Sequence, residues 1–140
     1  MADTSAGFRH RFNLYGGPTI IQDLLFQDTE TLTKGDIANL ETGLVDLAVS
    51  GDSVMLGVVQ EVISGTASTT RIRVIVNPDA VYGVYDANAR LAGATLDISG
   101  ATGAMTVAAT GDADLTVVAE STATEETLVM ISHGEHAFLP

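Results

Sequence analysis

Cysteine is missing from all 140 residues, and so is tryptophan. Without cysteine there is no disulfide framework, no thiol nucleophile and no thiolate zinc site. Aromatic residues make up only 5% of the chain, which removes the usual stacking platforms for bases and sugars. Basic residues are scarce as well. Five arginines and one lysine, Lys34, stand against 18 Asp and Glu, for a formal net charge of −12 and a pI near 4.2. A nucleic-acid sheath needs a basic face for the phosphates, so no nucleic-acid partner is expected. No apolar run approaches the roughly 18 residues of a membrane span, so no membrane partner is expected either. The stretch Met1–Gly17 places two arginines where a signal peptide would carry its apolar region, which points to synthesis and folding in the cytoplasm.

The residues that are present describe a packed domain. Apolar residues reach 46% and charged ones only 17%, unlike an acidic disordered tail. A chain of this size buries roughly 68–70% of its unfolded surface, enough for a core without metals or crosslinks. Threonine and valine are abundant, and the 14 glycines are spread along the chain. Short apolar runs are separated by Gly, Asp, Asn and Ser clusters, the pattern of an all-β sandwich or barrel. Strands are predicted over 35–40, 44–49, 53–63, 70–76, 81–85, 94–98, 105–108, 115–119 and 127–132. The turns Gly35-Asp36, Gly51-Asp52 and Gly111-Asp112 combine a residue that tolerates positive φ with one that hydrogen-bonds nearby backbone. Helix signals are weak: one short turn over 86–91, and a short helix or extended segment over 19–26.

Alternation sharpens two of these strands. In Arg71–Val76, Ile72, Val74 and Val76 share one face, while Arg71, Arg73 and Ile75 share the other. The two arginines call for acidic neighbours, across the strand within the chain or across a subunit interface. In 53–63, Val54, Leu56 and Val58 face one way and Met55, Gly57 and Val59 the other. Both faces are apolar, so this strand is expected to be central or to lie under a subunit contact.

The chain divides into an N-terminal arm, 1–33, and a β-barrel domain, 34–140. The arm holds Phe8, Phe12, Phe26 and Tyr15, together with Arg9 and Arg11, and its net charge is −2 while the body carries −10. Arginine and aromatics dominate interface anchors, so Phe8, Arg9, Arg11, Phe12 and Tyr15 are candidate contact residues, joined by Arg71 and Arg73. The plainer alternative is an unstructured tail.

Catalytic chemistry has little support, and the chain is not expected to be an enzyme. There is no G-x-S-x-G, no G-x-G-x-x-G and no Walker motif. His133 and His136 with Glu135 suggest a metal site, but positions three apart on a strand point to opposite faces. Asp112 and Asp114 open like a calcium loop without its later glycine and bidentate Glu. These groups are read as solvated turns, with no cofactor and no metal expected.

Three stretches carry a resemblance. They are Thr31-Leu-Thr-Lys-Gly-Asp-Ile-Ala-Asn-Leu40 running on through Glu41-Thr-Gly-Leu-Val-Asp-Leu-Ala48, then Ser50-Gly-Asp-Ser-Val-Met-Leu-Gly-Val-Val59, then Arg71-Ile-Arg-Val-Ile-Val-Asn-Pro-Asp-Ala-Val-Tyr82. This order resembles the small decoration (cement, head-stabilisation) proteins of tailed bacteriophages, over about Lys34–Tyr85. Residues 86–140 fit in composition and strand spacing only. The resemblance implies an all-β small barrel or β-tulip-like domain with an extended N-terminal arm. It also implies a homotrimer on the outer surface of the virion, at threefold and quasi-threefold positions, bound to the major capsid protein. Two other classes fit the residues: another small virion or surface component such as a tail, fibre or adhesin barrel, and a ligand-binding β-barrel.

Overall fold

The computed structural model describes residues 7–25, 31–64, 70–109, 111–122 and 125–138, and these are all β-structure and connecting turns with no helix among them. The strands run in chain order as β1 (Arg9–Asn13), β2 (Ile21–Leu25), β3 (Thr31–Leu32), β4 (Ile37–Glu41), β5 (Leu44–Leu47), β6 (Met55–Val58) and β7 (Ile63–Ser64). There follow β8 (Arg71–Ile75), β9 (Ala80–Asp86), β10 (Thr95–Ser99), β11 (Thr106–Ala108), β12 (Leu115–Ala119) and β13 (Glu125–Ile131).

Two antiparallel layers enclose the main core. One is a six-stranded sheet in the order β1-β9-β13-β12-β10-β11. The other begins as β5-β4-β6 and continues to β8 and β2 through an antiparallel bridge between Val59 and Val74. Tyr82, Val84, Leu96, Leu115, Val117 and Val129 of the large sheet meet Ile37, Met55, Val58 and Ile75 of the second layer. The outer face of that second layer has a core of its own, built from Ala38, Leu56, Val59, Ile72 and Val74, with Leu32 and Val45. The strand apolar on both sides is thus central within one chain, between two cores, and no subunit contact is needed to bury it.

A β-bulge decides which residue enters which core. Ala38 pairs with Gly57 and Asn39 with Met55, so Leu56 is an extra residue on β6. The insertion puts Met55 with Val58 in the first core and Leu56 with Val59 in the second. This corrects the strict two-residue alternation expected for 53–63. On β8 the alternation holds: Ile72 and Val74, then Val76, enter the second core, and Ile75 the first.

The second layer curls around its outer core until β2 comes alongside β5, with Cα atoms within 8 Å. No hydrogen-bonded rung joins those two strands among the described residues. The closed barrel expected from the sequence does not form. Closure requires tilt and register to match across the last strand pair, and here the curl stops short of pairing.

The N-terminal segment belongs to the sheets over the residues described. β1 pairs antiparallel with β9, from Arg9↔Gly83 to Asn13↔Ala80, and β2 pairs with β8, from Ile21↔Ile75 to Leu25↔Arg71. Residues 7–25 are therefore edge strands of the body, and the extended arm expected for 1–33 is not seen there. Phe26 lies outside the described residues.

Candidate functional site

Side-chain acceptors hold the irregular turns. Asp36, 1% exposed, accepts from the Thr33 N–H at 2.9 Å, the Gly103 N–H at 2.9 Å and the Thr102 hydroxyl at 2.5 Å. Buried Asp114 accepts from the Gly51 and Ile98 N–H groups, at 3.1 and 3.0 Å. Burial pushes its carboxyl above the usual range, against the pull of those two donors. Asp112 accepts from the Ser50 hydroxyl, and buried Asp97 from the Ala113 N–H at 2.7 Å. The Gly-Asp pairs are turn devices as expected, with Gly35, Gly51 and Gly111 at φ of +100°, +92° and +114°.

A second set of acceptors clamps the N-terminal segment. It passes over the turn Asn77-Pro78-Asp79, where the Leu14 N–H donates to the Asp79 carbonyl at 2.8 Å and the Tyr15 N–H to Asp79 Oδ2 at 3.0 Å. The Ile20 N–H donates to Asn77 Oδ1 at 2.6 Å, and Asn77 Nδ2 donates to the Pro18 carbonyl at 2.9 Å. Asn13 Nδ2 closes the Gly16–Pro18 break from the other side, donating to the Gly17 carbonyl at 2.8 Å. In sequence Asn77-Pro-Asp79 is a turn between two apolar runs, and nothing beside it marks its two side chains as a clamp. The available signal was the unpaired backbone of a Gly-Gly-Pro stretch, which must find side-chain partners or water.

The predicted contact residues part company. Phe8 is 2% exposed and belongs to the main core, so it is not a contact residue. Arg9 and Arg11 both turn to Glu126 on β13. Arg11 grips both carboxylate oxygens, its Nε donating to Oε1 at 2.7 Å, and Arg9 Nη1 stands 3.9 Å from Oε2. Gly83 leaves the space that Glu126 fills, since a Cβ there would lie 2.2 Å from Oε1. Phe12 and Tyr15 do face outward, at 43% and 83% exposure, and the clamp presents Leu14, Ile20 and Ile21 with them as an apolar stretch. Arg71 and Arg73 are exposed on one face of β8 and find partners within the chain. Arg71 donates to the Asp23 carbonyl at 3.4 Å, and Arg73 pairs with Glu61 at 3.5 Å.

His133 is exposed, whereas His136 is buried and accepts from the Phe138 N–H at 3.0 Å. Burial pushes the His136 imidazole below its usual range. Among the described residues no group of His, Asp and Glu is assembled to hold a metal ion. Among the described residues, cavities open at the surface in two places that border the N-terminal segment. One, of about 400 Å³, lies between Tyr15, Pro78 and Met130. The other, of about 630 Å³, lies between β1, the Lys34-Gly35 turn and Ile75.

One carboxylate couples the fold to pH. Burial on β5, followed by the neighbouring Glu41 carboxyl, pushes Asp46 up to about 7. A folded pKa above the unfolded one means the fold holds the protonated form more tightly. That stabilisation is complete below about pH 4 and is lost as the pH rises to about 7. Asp46→Asn should therefore gain melting temperature over the wild type, by more at pH 8 than at pH 5. Melting curves of both proteins across that range provide the check, and a pH-independent difference counts against it.

Comparison with known proteins finds no family model and no curated protein that matches this chain.

Proposed function

We propose that this chain is a structural protein that decorates a bacteriophage capsid. In this reading it binds the outer surface, joins neighbouring major capsid subunits, and works as a homotrimer at threefold and quasi-threefold positions without catalysis. The motifs of Lys34–Tyr85 support the family, and a rigid all-β body with a strongly acidic charge suits a protein facing solvent on a shell.

The observation that carries the reading is the apolar stretch Phe12–Ile21. Phe12, Leu14, Tyr15, Ile20 and Ile21 are all at least 40% exposed, yet Asn77 and Asp79 hold their backbone in place. Exposed apolar groups on a fixed backbone bind at low ordering cost, which is how interface anchors work.

Removing residues 1–17 would also remove Phe8 from the core, so side-chain changes give the cleaner test. Phe12→Ser with Tyr15→Ser should lower occupancy on undecorated heads by about tenfold or more, the scale of two lost anchors. Its melting temperature should stay close to that of the wild type. Unchanged occupancy overturns the reading. Native mass should give a trimer; an open polymer would favour a tail or fibre component.

A further inference from the structure

After β13 the chain reverses over Ser132-His133-Gly134-Glu135, with Gly134 at φ +93° and the Glu135 N–H donating to the Ser132 carbonyl at 3.0 Å. It then returns beside β6 in the parallel sense, His136 against Met55. The Met55 N–H donates to the Glu135 carbonyl at 2.9 Å, and the Ala137 N–H donates to the Met55 carbonyl at 2.7 Å. Met55 belongs to the first core and Ala137 packs against the second, so this short return lies on the strand that divides them. His136 stands in its middle and is 2% exposed. Its Nδ1 accepts from the Phe138 N–H at 3.0 Å, so Nδ1 carries no proton in the closed form.

A proton arriving at Nδ1 turns that acceptor into a donor, sets it against the Phe138 N–H, and leaves a charge in a buried place. Burial accordingly pushes the imidazole below its usual range, and the Leu56 carbonyl offsets this only in part. The groups around the ring fall into three sets. Tyr15, Asp79 and His133 share the 400 Å³ cavity with it, and Asp79 Oδ2 already accepts from the Tyr15 N–H at 3.0 Å. Met55 and Leu56 of β6 and Met130 and Ile131 of β13 are uncharged. On its own segment, Glu135 is pushed above the usual range by burial and then by the Asp114 and Asp112 carboxylates. Glu135 therefore titrates in the opposite sense, and acid tightens its hold rather than loosening it.

We propose that residues 135–138 form a pH-operated strap, which lies on β6 while His136 is neutral and lifts when the imidazole takes a proton. Lifting frees the Met55 N–H and C=O, and an unpaired strand edge is a template for another strand. The closed strap binds the proton less well than the open one. Closure is therefore whole above about pH 7 and is lost as the pH falls from about 6.5, the ordinary histidine value, through the lowered one. The inference goes beyond the capsid reading and does not depend on it.

The test follows backbone amide exchange of the isotope-labelled full-length protein at about pH 7.5 and about pH 5, on either side of the ordinary histidine pKa. Protection factors, corrected for the intrinsic pH dependence of exchange, should fall about tenfold at Met55 and Ala137. Val117, bonded to the Ala94 carbonyl at 2.8 Å, and Ala48, bonded to the Ile37 carbonyl at 2.9 Å, should keep theirs. That contrast separates a lifting strap from acid unfolding. In His136→Asn the side-chain oxygen can accept the Phe138 N–H in place of Nδ1 but takes no proton, so the fall should vanish. A second check needs no variant: the His136 ring carbons of the wild type should titrate with a midpoint below about 6.5. Constant protection at Met55 and Ala137, an equal fall at Val117 and Ala48, an undiminished fall in His136→Asn, or a His136 midpoint at or above that value each overturns the inference. Because no shell is used, failure here leaves the capsid reading standing, and failure of the Phe12/Tyr15 test leaves this one standing.

Discussion

Gly57→Ala should lower the melting temperature by roughly 10 °C, or prevent folding at growth temperature. A Cβ at this position would lie 2.1 Å from the Ile75 carbonyl oxygen and 2.5 Å from the Tyr82 hydroxyl. Neither neighbour can withdraw. Ile75 is backbone of β8 at the seam between β6 and β8, and the Tyr82 ring is 1% exposed in the main core. Forced overpacking costs about 3 kcal/mol when the surroundings cannot shift, and each kcal/mol moves a domain of this size by about 3–4 °C. A second variant separates the two clashes. Tyr82→Phe removes the hydroxyl but leaves the carbonyl, so Gly57→Ala in that background should regain part of the loss and no more. Full recovery would show that the β6–β8 seam has room to move, contrary to its geometry.

Phe8→Ala should cost about 3–5 kcal/mol, the usual toll for emptying a buried phenylalanine site. Phe12→Ala, four residues away, should stay within about 0.5 kcal/mol, because its ring is 43% exposed. Chemical denaturation of the two variants measures the contrast directly. Equal, small effects would mean that the N-terminal segment is loose in solution and that Phe8 docks only transiently. The pair thus decides between a strand of the body and a free arm more sharply than any truncation.

Several strands were legible from residues alone, and the reasons are local. Predicted 115–119 coincides with β12, and 81–85 and 94–98 fall within one residue of β9 and β10 at each end, because apolar runs there are bracketed by glycine and aspartate turns. The run 53–63 was overextended. It breaks after Val58 and resumes only at β7, and its faces are reset by the extra residue at Leu56, which no periodicity announces. β1 was missed for a different reason. Arg9-His-Arg-Phe-Asn13 has little strand character of its own, and its pairing is supplied by β9, some seventy positions later. β2 was only half read, as an extended alternative to a helix. The site shared this limit. Exposed Phe12 and Tyr15 were picked out by residue type, but Phe8 was grouped with them because type cannot tell a core ring from a surface one. Asn77 and Asp79 went unread because their role exists only once the first twenty residues lie across them.

The pairing of β1 with β9 has a consequence for how the chain is made. Arg9 meets Gly83, so β1 has no partner on β9 until residues beyond 83 have emerged from the ribosome. At about 5–20 residues per second that wait lasts roughly 4–15 seconds, far longer than local structure takes to form. During it, Phe8 and Phe12 are exposed on a nascent chain, in a segment open to pairing with other strands. Arg9 and Arg11 flank and separate these two rings. They serve as gatekeepers, since a charge beside each apolar residue makes premature strand association costly. The same two arginines later settle on Glu126 of β13, more than a hundred residues further along the chain. Their charge protects the segment while it waits and then fastens it once β13 arrives.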